Sequence, residues 1–364
     1  MGWFWVGSSP PHTRANSAVF ISDTHLPQIL PTRAYVDDAF HVAERDRLFV
    51  RAWHCVGCLE DLNGRRYYDA DLLGNPIVMW RQDDTVHAAH RPTSSRRSPM
   101  QRSDTSPKSD TPPESDTPPE SFRIRCETIG TLIFVTLGAT ETLDEYLGPS
   151  AQLCRQWFGD DARLVLGARR DNHANWKVSL ENSLEGYHLE EVHSGTFGSF
   201  PHADDCTHRL YDDCHSDLVV SGGEDTRLSR LGRRAMRWAD IHGESGYHQI
   251  HRYPNLVFAR FGPFRWMEAV YPISPNDSYD TWRFFSVGVN DHSVRGKVAR
   301  AALKAWGHRW FQRVIDEDEA IFPRIQAGLQ SSLRPGTGLL SMREERVCHF
   351  QRYVRDQLGV TTCS

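Results

Sequence analysis

The chain has 364 residues, of which 39% are hydrophobic and 24% are charged, a balance typical of a globular protein long enough for two domains. Its 42 basic and 47 acidic residues give a formal net charge of −5 and are spread along the chain, which argues against a nucleic-acid partner. No run of about 18 apolar residues occurs, and residues 3–6 are too short for a signal-peptide core. We therefore expect a cytoplasmic protein without a membrane partner.

The eight cysteines are scattered and lack the regular framework of a small disulfide-rich domain, so reduced thiols are expected. Cys55 and Cys58 form the one close pair, with His54 beside them. Their spacing is that of half a metal site, but no matching second pair follows. Buried strand cysteines are the simpler interpretation.

Residues 27–137 predict a small β domain. Residues 40–49 have apolar positions at helical spacing, and residues 52–56, 76–81 and 131–137 are short apolar runs typical of buried strands. Between these runs, residues 91–121 are rich in Ser, Thr, Pro, Asp, Glu and Arg and include the hexapeptides SDTSPK, SDTPPE and SDTPPE. Such a segment cannot bury a core, so we expect it to be disordered, as we do the N-terminal segment 1–26.

Residues 138–364 predict a second domain, in which strands are followed by a long helix. Residues 247–290 show several strands broken by Pro and Gly, and residues 294–330 show one long amphipathic helix. Strands and helices that are segregated in this way indicate an α+β fold. The chain contains no nucleophile elbow, phosphate-binding Gly-Lys-Ser/Thr loop or dinucleotide fingerprint, which argues against those enzyme classes.

The most distinctive group of polar residues lies in residues 175–193, where Glu185 precedes His188 by three positions and His193 follows it by five. On an ideal helix, His188 and His193 would point about 140° apart. The two imidazoles can therefore meet at one ion only if the helix ends or kinks between them. The acidic run at 316–319, inside the predicted long helix, is the best source of a carboxylate to complete the site.

Two imidazoles and one carboxylate occupy one face of an octahedral iron(II) ion and leave the other positions for dioxygen and substrate. The same spacing also suits a zinc hydrolase in which Glu185 is the general base. A solvated polar helix with no metal is a further interpretation. The spacing alone leaves all three possibilities open.

Residues 175–193 (NWKVSLENSLEGYHLEEVH) resemble the Asn-Trp-Lys, Glu-Asn, Glu/Asp-x-Tyr-His-x4-His signature of Rieske oxygenase α subunits. The resemblance continues at Tyr253-Pro-Asn255 and from Glu317-Asp318 to residues 325–329, and it covers residues 27–90 and 122–355. It implies a truncated Rieske-like β domain followed by a helix-grip-like (START-type) antiparallel-sheet catalytic domain with a long C-terminal helix. It also implies iron(II)-dependent dioxygen activation, with hydroxylation or oxidative demethylation of a small organic substrate.

The resemblance assigns a role to each candidate site residue. His188, His193 and Asp318 are the implied iron ligands, Glu185 falls where the family has an acid between two metal centres, and Asn182 falls at a position lining the same site. A glutamate at position 185 most resembles the branch acting on choline and carnitine, so the implied substrate is an aromatic compound or a quaternary amine. The implied partners are dioxygen, a reductase and two further copies in a homotrimer.

The departure from the family lies in the cluster-binding loops. After residues 73–90 the family has a Cys-x-His and then a Cys-x-x-His motif, which together hold a 2Fe-2S cluster. In this chain, residues 91–121 contain neither cysteine nor histidine, and Cys126 stands alone in the strand that follows. The cluster is thus expected from the family while its ligands are absent. A non-catalytic iron-binding relative and a gene model with mis-spliced cluster loops are therefore alternatives to an oxygenase.

Overall fold

The computed structural model describes residues 25–91 and 122–359, except for 187, 194, 197–205, 212–214, 221–233, 235, 239–240, 242, 291 and 334–335. The segments expected to be disordered, 1–26 and 91–121, lie outside the described residues apart from positions 25, 26 and 91.

Groups of strands alternate with groups of helices along the described part of the chain. The strands are β1 His25–Pro27, β2 Trp53–Cys58, β3 Tyr68–Leu72, β4 Asn75–Gln82, β5 Thr85–His90, β6 Arg123–Ile129, β7 Leu132–Thr136, β8 Arg163–Asn172, β9 Cys206–Tyr211, β10 His215–Val220, β11 Glu244–Arg252, β12 Leu256–Gly262, β13 Phe264–Ser274, β14 Asp277–Ser286 and β15 Leu339–Ser341. The helices are α1 Asp38–Glu44, α2 Leu143–Leu147, α3 Ser150–Trp157, α4 Trp176–Leu184, α5 His188–Val192, α6 Val294–Glu319, α7 Phe322–Gln330 and α8 Glu345–Leu358. None of these helices is both long and apolar enough to cross a membrane.

The first sheet contains the strands predicted in the N-terminal part of the chain. Its antiparallel order is β2-β7-β6-β5-β4-β3. Strands β2 and β7 are buried along their whole length, as their apolar and β-branched residues predict. Strand β5 pairs with β6 through Ala88 opposite Ile124 and Ala89 opposite Arg123. The hexapeptide repeat therefore connects two neighbouring strands of this sheet.

The second sheet is antiparallel throughout and has the order β8-β14-β13-β12-β11-β10-β9. Its central strands confirm the strands predicted within residues 247–290. Helix α6 packs on β8 and β14, where the ring of Phe311 stacks on Phe284 with centroids 3.7 Å apart. Antiparallel sheets with separate helices confirm the predicted α+β class. The last helix of the described residues is α8.

The prediction of one helix over residues 294–330 is wrong in one respect. The structure has two helices, because α6 ends at Glu319 and α7 begins at Phe322. Pro323 lies in the first turn of α7, where its missing N–H costs no hydrogen bond, whereas within a continuous helix its ring would clash with the preceding turn. The break comes directly after the acidic run and leaves Asp318 in the last turn of α6.

A single large apolar core extends across both sheets. Phe158 follows α3, and its ring lies edge-on to Phe258 of β12 and Phe285 of β14, with centroids 6.1 and 5.6 Å apart. The ring of Phe134, in β7 of the first sheet, lies 6.5 Å from that of Phe258, so aromatic surface is buried where the two sheets meet. The predicted domain boundary after residue 137 therefore lies between the two sheets, which share one large core. The domain bounds remain a prediction.

Candidate metal centre

Three side chains predicted from the sequence meet at one point. The ligand atoms of His188, His193 and Asp318 lie within 4.8 Å of one another, the one such group of three among the described residues. Asp318 Oδ1 is 3.0 Å from His193 Nε2 and 3.7 Å from His188 Nε2. His193 is 1% exposed, and the other two side chains are largely shielded. A small cation placed between these atoms would meet two imidazole nitrogens and one carboxylate oxygen.

The two histidines lie at opposite ends of a short helix, α5, which is separated from α4 by a break in the chain's helical course. Helix α4 ends at Leu184, and Glu185 is extended, with φ −108° and ψ 164°. Glu185 Oε2 then accepts a hydrogen bond from the backbone N–H of His188 at 3.1 Å and so caps the start of α5. Helix α5 ends at Val192, directly before His193. The two histidines therefore flank one short helix, and the helix end that their spacing requires falls directly before His193.

Each histidine has a carboxylate partner at Nδ1. Glu185 Oε1 is 2.6 Å from His188 Nδ1, and Glu317 Oε2 is 2.8 Å from His193 Nδ1. A carboxylate at Nδ1 favours the proton there, so that the lone pair on Nε2 is the one directed at a metal ion. Both Nε2 atoms face Asp318, which is the orientation that a metal ligand needs.

Glu317 is itself held in place by two neighbours. Thr196 Oγ1 donates to it at 2.7 Å, and Arg313 Nε donates to it at 2.9 Å. Partial burial opposes ionisation of Glu317, but the hydrogen bonds from His193, Thr196 and Arg313 lower its pKa below the usual value. Burial likewise opposes the charged form of His193, but Asp318 and Glu317 raise its pKa above the usual value.

The acidic run at the end of α6 presents different carboxylates to different neighbours. Asp318 accepts a hydrogen bond from Asn182 Nδ2 at 2.9 Å, which places Asn182 beside these three side chains. Asp316 lies at the surface, where it pairs with Arg170 at 3.0 Å. The expectation that one carboxylate of the run points inward is met by Asp318.

A buried ion pair holds helix α4 against α1. Lys177 Nζ donates to Glu44 Oε1 at 2.6 Å, Trp176 Nε1 donates to Glu44 Oε2 at 2.7 Å, and the Lys177 and Glu44 side chains are both inaccessible to solvent. Two residues of the Asn-Trp-Lys sequence therefore act in packing rather than chemistry. They fix the helix from which Asn182 and Glu185 extend toward the metal centre.

A cavity of about 90 Å³ opens on this group of ligands. Aromatic side chains form much of its wall, and no lysine or arginine is among the described residues that line it. The aromatic residues are Tyr247, Trp266, Trp282, Phe284, Trp310 and Phe311. The sequence alone does not assign these residues to the site, because neither strand alternation nor helical spacing reveals which face of an element borders a cavity.

Two buried acids lie on neighbouring strands next to the cavity. Glu268 lines it and accepts a hydrogen bond from Ser183 at 3.0 Å, whereas Asp280 accepts one from Ser179 at 2.7 Å. Burial raises the pKa of Asp280 to about 7 and raises that of Glu268 well above its usual value. An acid within the apolar run of β13 was the signal in the sequence that could have identified Glu268.

The cysteines and the histidine near β2 do not fit an iron–sulfur cluster. Cys55 Sγ donates to the Gly57 carbonyl at 3.6 Å and Cys58 Sγ to Asp61 at 3.4 Å, while His54 Nε2 lies 2.7 Å from the Phe49 carbonyl. Burial raises the pKa of the Cys58 thiol to about 12, which disfavours the thiolate that a cluster needs. Cys126, whose pKa burial also raises to about 12, does not form a metal-binding group of three with any described residues.

Comparisons with known proteins agree with this fold. Residues 160–360, more than half of the chain, match the family model described as ring hydroxylating alpha subunit (catalytic domain). Choline monooxygenase of Atriplex hortensis is 22% identical over 90% of this chain and 77% of its own length. The carnitine monooxygenase oxygenase subunit of Escherichia coli K12 is 20% identical over 88% of this chain and 91% of its own length.

Solved structures share the fold at low sequence identity. The quaternary ammonium Rieske monooxygenase CntA in complex with L-carnitine superimposes with a TM-score of 0.67 at 17% identity, covering 92% of this chain and 96% of CntA. Naphthalene 1,2-dioxygenase from Rhodococcus sp., bound to indole, gives a TM-score of 0.63 at 14% identity, covering 93% of this chain and 95% of the dioxygenase chain.

Proposed function

Because the chain belongs to the ring hydroxylating alpha subunits of the Rieske oxygenase family, on the choline and carnitine monooxygenase branch, we propose that it is an iron(II)-dependent oxygenase. The proposed reaction is hydroxylation or oxidative demethylation of a small organic substrate, either an aromatic compound or a quaternary amine. The observation that carries the proposal is the meeting of two imidazoles and one carboxylate within 4.8 Å beside a cavity lined by aromatic rings.

In this proposal His188, His193 and Asp318 hold the iron, and their chemistry fits it. Two imidazoles and a carboxylate with open positions are typical of non-haem iron(II) oxygenases. The bound iron would supply dioxygen activation. Hydroxylation of a C–H bond by dioxygen also consumes two electrons and two protons and releases one water, and we propose a reductase as the electron source.

The remaining residues orient the ligands and the substrate. Glu185 and Glu317 would hold the Nδ1 protons of the two histidines, so that each Nε2 offers its lone pair to the metal. Asn182 fixes one oxygen of Asp318. The aromatic wall would exclude water and hold the substrate against this face of the site.

Metal analysis tests the proposal directly. Protein loaded with iron(II) under anaerobic conditions should retain about one iron per chain. His188→Ala and Asp318→Ala should each lose it, while His173→Ala should keep it, because the His173 side chain is 81% exposed and pairs with Asp277. Unchanged iron content in both ligand variants, or a preference for zinc over iron in competition, would contradict the assignment.

A second candidate function is favoured by the cluster region. The described residues do not fit a 2Fe-2S cluster, and residues 91–121 contain no cysteine or histidine. A chain that binds iron but receives no electrons through a cluster would be a non-catalytic relative. Sequencing the genomic region that encodes residues 90–122 separates this candidate from a mis-spliced gene model, because an intact Cys-x-His and Cys-x-x-His in another frame would identify the latter.

A further inference from the structure

Glu268 is the carboxyl group of the cavity that the proposed metal centre does not use. It lies in the middle of β13, is 2% exposed, and lines the cavity together with the ligand residues. Its Oε2 accepts a hydrogen bond from Ser183, whereas Oε1 accepts none from any described residue and is not enclosed by protein. Oε1 therefore faces the cavity and not bulk water, and an acceptor atom in that position is available to a ligand in the cavity.

The surroundings of Glu268 favour a cation. Six aromatic side chains line the cavity, and the faces of such rings attract positive charge. The described lining includes three carboxyl groups, those of Glu185, Glu268 and Asp318, and no lysine or arginine. Glu185 bonds to His188, and Asp318 is the proposed metal ligand, so Glu268 is the acid left for the substrate.

We infer that Glu268 determines specificity by accepting a hydrogen bond from a protonated amine that retains at least one N–H. The inference rests on the proposed oxygenation of a small organic substrate, and within that class it favours a protonated amine over the quaternary amine named above. A quaternary ammonium group also fits an aromatic cavity, but it has no N–H to donate and would leave Oε1 without a partner. A charge-assisted hydrogen bond to a carboxylate supplies the discrimination between the two kinds of cation.

The protonation of Glu268 is compatible with this role. Burial and then the neighbouring Asp280 raise the pKa of Glu268 in the empty cavity. A cation beside Oε1 acts in the opposite direction and stabilises the ionised carboxylate. Ser183 continues to donate to Oε2, so that binding would use the free oxygen without breaking the existing hydrogen bond.

Two probes that differ by a single methyl group test the inference. Trimethylammonium and tetramethylammonium are both cations at pH 7, but the first alone has an N–H. Their affinities for the full chain are measured by saturation-transfer NMR on the methyl resonances, with both metal-free and iron(II)-loaded protein. The wild-type chain should bind trimethylammonium roughly tenfold to a hundredfold more tightly, as one charge-assisted hydrogen bond predicts.

Glu268→Met should bring the two affinities to within about twofold, because it keeps a side chain of similar length but removes the oxygen that would accept the N–H. Asp277→Asn is the matched control, since it removes an acid from the edge of β14 whose side chain is 44% exposed, and it should keep the wild-type ratio. Equal affinities in the wild-type chain would overturn the inference, and so would an unchanged ratio in Glu268→Met or the binding of neither probe. The wild-type comparison holds whether or not the variant folds.

The outcomes also separate this inference from the proposed function. A chain that discriminates between the probes but retains no iron loses the proposed oxygenase function and keeps the amine-binding cavity. A chain that retains iron but binds both cations equally keeps the proposed function and loses the role of Glu268.

Discussion

Asp280 offers the sharpest test of how the buried acids affect stability. It lies in β14, is 3% exposed, and accepts a hydrogen bond from Ser179, while its Oδ1 has no partner among the described residues. Burial raises the pKa of Asp280 to about 7 from a usual value of 3.8. Asp280→Asn preserves the shape of the side chain and removes its ionisation.

The sign of the effect follows from proton linkage. The folded chain holds the Asp280 proton more tightly than the unfolded chain, so this group lowers the free energy of unfolding as the pH rises from about 4 to 7. The resulting cost is roughly 2 kcal/mol at pH 5 and roughly 4 kcal/mol at pH 8. The asparagine variant carries no such cost. Its stability relative to the wild type should therefore increase by roughly 2–3 kcal/mol between pH 5 and pH 8.

Urea unfolding of the metal-free chain, followed by tryptophan fluorescence at pH 5, 6, 7 and 8, measures this difference. Asp171→Asn is the control, because its side chain is 68% exposed and pairs with Arg169 at the surface. The control should keep the wild-type pH dependence. A parallel pH dependence in the wild type and Asp280→Asn, or a variant that is less stable at pH 8 than at pH 5 relative to the wild type, would refute the reasoning.

Four further predictions address the site and the assembly. Glu317→Gln should weaken iron(II) binding by roughly tenfold to a hundredfold in a chelator competition, because His193 loses its carboxylate partner, and an unchanged affinity would contradict this role. Lys177→Met should lower the free energy of unfolding by about 3–5 kcal/mol, since it leaves the Glu44 charge buried without its cation, and a loss below about 1 kcal/mol would argue against the pair. Anaerobically reconstituted protein should contain no stoichiometric sulfide and give no rhombic reduced-cluster resonance, and any oxygenation should then require peroxide; finding either the sulfide or the resonance would force the cysteines into a ligand role. Light scattering at micromolar concentration should give the mass of a homotrimer, and a strictly monomeric mass would count against that assembly.

The sequence predicted the parts of the fold that depend on local pattern. Strands β2 and β7 follow from apolar runs, and the requirement for a helix end between His188 and His193 follows from a spacing of five residues. The end of α6 was also within reach, because Pro323 cannot sit inside a continuous helix. These predictions need only neighbours in the chain.

Contacts between distant parts of the chain were beyond the sequence alone. Lys177 is 133 positions from Glu44, and Glu317 is 124 positions from His193. Each pair meets only because helices and sheets pack in a particular arrangement, which a single sequence does not specify. The position of Glu268 also depends on packing. Strand alternation predicts that β13 has two faces, but it does not predict which face borders the cavity.

The support of the proposed iron site is separate from the sheet in which the family carries its cluster. The carboxylates and the amide that orient His188, His193 and Asp318 come from residues 182–185 and from α6. The first sheet and its adjoining turn meet the second through other contacts, such as Asp61 with Arg283 at 3.1 Å. The hexapeptide repeat at 91–121 joins two strands of the first sheet, so it does not interrupt the described contacts that orient the three proposed ligands. In the proposed function, iron binding and electron supply are therefore separate requirements, and retention of iron would not by itself imply turnover.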